Sequence, residues 1–134
     1  WEVVFASHVI EHLDSPARLY GFASRVLSEN GLLIVSTPNP AWFGHLYDWL
    51  TGGSNTFNVD HVGLFGINEL IELGERNGFE LVHWFYFGAG DMNGSFTPGN
   101  FLEGSLWNIP YRIARGVNHM VSHNQIAAVY RFTK

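Results

Sequence analysis

The sequence predicts an α/β domain built on a largely parallel sheet. Short apolar runs rich in β-formers alternate with segments whose apolar residues recur at helical spacing. The runs are apolar throughout, as in strands covered on both faces. The chain is also rich enough to bury a core: of 134 residues, 46% are hydrophobic and only 14% charged. That length is one ordinary domain or a piece of a larger one.

The elements follow in order. "EVVFAS", residues 2–7, is a buried strand. Asp14 or Ser15 can cap a helix with Pro16 at its first position, running to about Ser28. Leu19, Phe22, Ala23, Val26 and Leu27 give it one apolar face. "ENG" ends it, with Gly31 suited to a left-handed position after the helix. "LLIVST", 32–37, is the next strand, and Pro38 stops it. "AWFGHLYDWL", 41–50, is an aromatic-rich helix and "TGGSNTFNVDHVG" a loop. "INELIELGERN", 67–77, is a helix closed by Gly78, and "FELVHWFYF", 79–87, a strand. Residues 88–100 are loop, 101–121 mostly helical in pattern despite Pro110 and Gly116, and "QIAAVYRFT", 125–133, a closing strand. The first strand would be an apolar edge, which stable proteins avoid. The chain also begins directly in that strand without Met. Both features lead us to expect sheet partners upstream of Trp1.

Composition narrows function. The net charge is −5, the only lysine is Lys134, and no basic run exists, so nonspecific nucleic-acid binding is not expected. No cysteine is present, which removes disulfide and thiolate chemistry. No apolar run reaches the roughly 20 residues of a membrane-spanning helix. The N-terminus has no basic leader region, and the expected location is the cytoplasm.

Residues 8–12, "HVIEH", match the H-x-x-E-H zinc signature of a class of metallopeptidases. That chemistry needs a long helix presenting both histidines on one face. Here a strand ends just before the motif, and Asp14-Ser15-Pro16 starts a new helix just after it. Only about one and a half turns remain, and Glu69 or Glu72 would have to be the third ligand. The plainer alternative is polar residues at the mouth of a strand. Ligands of α/β sheets bind at the carboxyl ends of parallel strands. His8, Glu11 and His12 follow such an end, and His61 lies in a loop after the second strand.

The stretch from Trp1 to Pro40 resembles the second half of class I S-adenosylmethionine-dependent methyltransferases, of the type-11 or ubiquinone-pathway O-methyltransferase kind. Glu2, Glu11-His12-Leu13, Arg25-Val26-Leu27, Gly31 and Thr37-Pro38-Asn39 stand in register with that family's pattern. "DHVGLFGINELIELGERNGFELV" and "AAVYRFTK" match its later punctuation and last strand. The resemblance covers 1–87 and about 125–134. It implies a Rossmann-like fold in which strands 2–7 and 32–37 are parallel neighbours. Strand 125–133 then inserts antiparallel beside 32–37, with 79–87 outside it. No G-x-G-x-G occurs in the chain, so we expect the C-terminal portion of one methyltransferase domain, with 88–124 inserted between its last two strands. Such a portion alone would be inactive and would bind the cofactor weakly.

The resemblance implies S-adenosylmethionine as cofactor, with Ser7 and His8 lining its pocket. Relatives with Glu-x-x-Glu-His and a downstream His include small-RNA 2′-O-methyltransferases, and some bind a divalent cation there. The matching positions are Glu11, His12 and His61, with His8 in place of the first Glu. This imidazole-rich set suits zinc, manganese or iron at least as well as magnesium. His61 and His12 are the candidate catalytic residues, and His8 and His12, four apart, would share one side of a helical turn. Methyl transfer to an oxygen of a small-molecule, sugar or lipid-linked acceptor is expected, with RNA disfavoured by the low basic content. Trp42, Phe43, Tyr47 and Trp49 could pack as core or line the acceptor pocket. The apolar 101–121 segment could cap the site or pair two copies as a homodimer. The rival from another class is a non-catalytic scaffold of the same fold.

Overall fold

The computed structural model describes residues 1–42, 45, 50, 60–89 and 123–133. Four strands form one sheet: β1 (Val3–Ser7), β2 (Leu32–Pro38), β3 (Phe79–Ala89) and β4 (His123–Phe132). Among the described residues, the helices α1 (Ala17–Val26) and α2 (Ile67–Arg76) and a 3₁₀ turn (Ile10–His12) are placed around it. The strand order is β1-β2-β4-β3. β1 runs parallel to β2, and β4 runs antiparallel to both β2 and β3. This is the predicted arrangement. It seats β4 between two neighbours, and Ile126, Ala127, Ala128, Tyr130 and Phe132 are buried there.

The helices pack on one face of the sheet. Val4↔Leu33 and Ala6↔Val35 are paired across β1 and β2, and Leu33↔Tyr130 and Val35↔Ala128 across β2 and β4. These positions share a face because side chains alternate along a strand. Leu19, Tyr20, Ala23 and Leu27 of α1 and Leu70 of α2 join them in one core. The opposite face of β1 is open, with Val3 50% and Phe5 64% exposed. Among the described residues, β1 is therefore an apolar edge strand, as expected.

Two helix ends differ from the sequence reading. Pro16 takes the N-cap position of α1 with φ −54 and ψ −31, already helical, and no side chain caps it. α1 then ends at Val26, two residues early, because Leu27 is extended and turns its side chain into the core. The left-handed residue that follows is Asn30 (φ 61), not Gly31. Gly31 is needed for space instead: a Cβ there would lie 2.9 Å from the Ser28 carbonyl oxygen. After α2 the expectation holds, with Gly78 at φ 80, a conformation glycine adopts without strain.

The helices expected at 41–50 and 101–121 fall mostly or wholly outside the described residues. So do most of the 88–124 insertion and any dimer contact through it. Among the described residues, no helix is long and apolar enough to cross a membrane.

Candidate active site

The site forms where β1 and β2 end together. β1 stops at Ser7, and His8 adopts φ 53. This left-handed conformation is uncommon for a residue with a side chain, though histidine visits it more than most. It is held by the His8 backbone N–H, which donates to the Ser36 carbonyl at 2.9 Å. The chain then makes the 3₁₀ turn. Ile10, with no exposed surface, anchors the turn in the core. Glu11 is carried inward with it and is only 1% exposed.

A carboxylate buried this deeply needs partners. Thr37 Oγ1, at the end of β2, donates to Glu11 Oε2 at 3.1 Å. Glu11 Oε1 lies 3.2 Å from His8 Nδ1, but without hydrogen-bond geometry, so it lacks a hydrogen-bond partner among the described residues.

Segment 60–63 is tied to the turn from the other side. The backbone N–H groups of Val62 and Gly63 donate to the Glu11 carbonyl at 2.7 and 3.2 Å. His12 Nδ1 lies 3.0 Å from the Asp60 carbonyl oxygen. A carbonyl only accepts, so His12 carries its proton on Nδ1 in this contact, and Nε2 is the nitrogen left with a lone pair. The clamp brings the His61 ring to 4.9 Å from that of His12, edge to face at 74°. His61 Nδ1 is buried and has no hydrogen-bond partner among the described residues.

Glu11, His12 and His61 each offer one ligand atom within 4.8 Å of the others. Two observations fit a cation there. Buried polar atoms are normally paired, yet Glu11 Oε1 and His61 Nδ1 are not. The His12–Asp60 contact is also the arrangement that orients a metal-ligating imidazole. His8 is outside this group. Its left-handed backbone breaks the helical phase that would stack it with His12, and its side chain meets Glu11 instead. The H-x-x-E-H motif thus spans a strand end and one 3₁₀ turn, not the α-helix a zinc peptidase requires.

Ser7 is exposed at the same end, and its hydroxyl pairs with that of Ser36 at 2.9 Å. Each hydroxyl has a single hydrogen, so this bond uses one and leaves the other for a ligand. Thr37 and the Asp60 carbonyl were not assigned from sequence. The signal for Thr37 was its place in Thr-Pro-Asn, at the carboxyl end of a strand. The Asp60 contact is made by the backbone, which a sequence does not single out.

A profile of the methyltransferase domain matches residues 1–84. The chain belongs to that family. A search of curated proteins gives no match. Among solved structures, a SAM-dependent methyltransferase from Archaeoglobus fulgidus is similar, with TM-score 0.60 and 18% identity over 97% of this chain and 58% of that one. An S-adenosylmethionine-dependent methyltransferase from Mesorhizobium loti gives TM-score 0.56 and 16% identity, over 98% of this chain and 62% of that one. A small-RNA methyltransferase gives 0.57 and 18%, over 99% of this chain and 14% of the larger one. The chain therefore spans little more than half the length of the first two. At these identities the likeness establishes the Rossmann-like methyltransferase fold.

Proposed function

We propose that this chain carries the acceptor side of an S-adenosylmethionine-dependent O-methyltransferase, working in the cytoplasm on a small-molecule, sugar or lipid-linked hydroxyl. The observation that carries this is the convergence of Glu11, His12 and His61 at the carboxyl ends of parallel strands, with two buried polar atoms of these residues lacking hydrogen-bond partners among the described residues. Family membership supports the cofactor, and Ser7 and His8, at the carboxyl end of β1, would line its pocket.

The reaction is a displacement at a sulfonium methyl. The acceptor oxygen forms the new bond to carbon, the carbon–sulfur bond breaks with its electrons going to sulfur, and the hydroxyl proton must leave. Glu11, through its oxygens, and His12, through Nε2, would hold a divalent cation together with His61. Such an ion polarises a hydroxyl so that its proton leaves more easily. The buried carboxylate fixes negative charge beside the acceptor. With an ion held by all three residues the proton would leave to solvent; in the alternative without an ion, the His61 imidazole takes it at a nitrogen. The clamp on segment 60–63 keeps His61 against His12, so the geometry exists before the acceptor arrives.

The test is His61→Ala in the intact protein, with methyl transfer measured with and without a chelator. We expect a loss on the order of 100-fold in the variant, the scale of one acid–base group, and chelator sensitivity in the wild type. Activity insensitive to both would make the cluster structural. Absence of S-adenosylmethionine binding by calorimetry would favour the scaffold.

A further inference from the structure

The Thr37-Pro38-Asn39 motif at the end of β2 has no role in the reaction as described. We infer that the Thr37 hydroxyl is a positioning group that aims the Glu11 carboxylate at the cation, an inference that rests on the cation reading above.

Thr37 sits on the last turn-free stretch of β2, paired with Ile126 of β4, and is 1% exposed. The strand holds its backbone, so its hydroxyl is a fixed donor rather than a mobile one. That donor meets Glu11 Oε2 at 3.1 Å. Glu11 comes from a short 3₁₀ turn, and no side chain caps that turn. The carboxylate itself must therefore be oriented by contacts from other elements. Thr37 holds Oε2, and Oε1, 3.2 Å from His8 Nδ1, is left without a hydrogen-bond donor among the described residues. The carboxylate so held offers an oxygen within 4.8 Å of ligand nitrogens of His12 and His61. A strand-borne threonine does here for the carboxylate what the Asp60 carbonyl does for His12. Partners of this kind fix ligand rotamers.

The side-chain chemistry makes the inference specific. Valine has threonine's shape without the donor. Serine keeps the donor with less bulk. Only a role through the hydroxyl separates the two.

The experiment measures Mn²⁺ binding to the intact protein by calorimetry or by the electron paramagnetic resonance of the free ion, with circular dichroism as a folding check. Thr37→Val should weaken Mn²⁺ by about 10–100-fold, the usual cost of losing such a partner. Thr37→Ser should restore binding to within about threefold of wild type, well inside that range. If Thr37→Val does not fold, Thr37→Ala removes the same donor without a methyl pressed against the carboxylate, and it carries the same expectation. Wild-type affinity in a folded Val or Ala variant overturns the positioning role and leaves the cation site standing. Equal loss in the Val and Ser variants also overturns it, since bulk rather than the hydroxyl would then matter. No Mn²⁺ binding by the wild type removes the cation reading itself, and this inference with it.

Discussion

Two buried polar groups in this molecule are built to opposite plans. Beneath the helices, Tyr20 and Tyr130 have no exposed surface, and every hydroxyl is used. Tyr20 donates to the Tyr130 oxygen at 3.3 Å, and Tyr130 donates to the Leu70 carbonyl at 2.6 Å. One chain of hydrogen bonds thus joins α1, β4 and α2. At the strand ends, Glu11 is as deeply buried, but one of its oxygens and one nitrogen of His61 have no hydrogen-bond partner. A satisfied network specifies a core. An unsatisfied one is a standing cost that stability alone does not explain, and such exceptions gather at functional sites.

The sharpest way to break this contrast is Glu11→Gln. Glutamine keeps an oxygen for Thr37 and nearly the same shape, but gives up the charge. Burying an ionised carboxylate is costly, so the folded protein should lose no stability, and its melting temperature should stay level or rise. Methyl transfer should fall on the order of 100-fold, as for removal of a group that manages charge in the reaction. Parallel thermal melts and activity assays decide it. A large drop in melting temperature would put Glu11 in the same class as the tyrosines.

The tyrosine side of the molecule was far more legible in the sequence than the site. Strands announced themselves as apolar runs, and α1 and α2 by spacing and punctuation, because burial acts on every residue of an element. Even the order β1-β2-β4-β3 was in reach, through the family resemblance that motifs spread along the chain carry. The site was legible only as a set of candidates. Glu11 meets Thr37 across 26 positions and His12 meets Asp60 across 48. Such meetings depend on which strand lies beside which and in what register, and no local pattern encodes that. His8 shows the limit most clearly. Spacing of four suggested a shared face with His12, but a single left-handed residue changed its direction.

A second test strikes the packed side. Gly74 lies on α2 against Tyr130, and a Cβ there would come 2.3 Å from Tyr130 Cε1. Alanine in a helix ordinarily gains about 1 kcal/mol over glycine. Here overpacking should outweigh that gain, for a net loss of about 2 kcal/mol. Tyr130 cannot retreat without leaving the Leu70 carbonyl. Urea denaturation of Gly74→Ala should show the lower midpoint, while the active-site geometry at the far strand ends is untouched. A stabilised variant would mean the tyrosine has room that the structure denies it.

The smallest effect is expected from Tyr130→Phe. It keeps the ring packed against Tyr20 and Phe79 and removes one hydroxyl. Tyr20 then loses its acceptor in a buried setting, a cost of about 1 kcal/mol at neutral pH. The more telling readout is alkaline. Burial pushes the Tyr20 hydroxyl up to about 12, against the partial opposing effect of its bond to Tyr130. Burial drives Tyr130 higher still, and the neighbouring Tyr20 adds to this. A pKa raised in the folded state means that the unfolded chain gives up its protons first. Stability from these groups is therefore complete below pH of about 10, the ordinary tyrosine value, and is lost as pH rises toward 12 and beyond. For Tyr20 alone the loss over that window is on the order of 3 kcal/mol. Denaturation at pH 8 and pH 11 should show a steep fall for wild type and a shallower one for Tyr130→Phe, in which one of the two titrating hydroxyls is gone. Identical slopes would mean that the hydroxyls are hydrated in the folded protein, and the contrast between a closed core network and an open site would lose its first half.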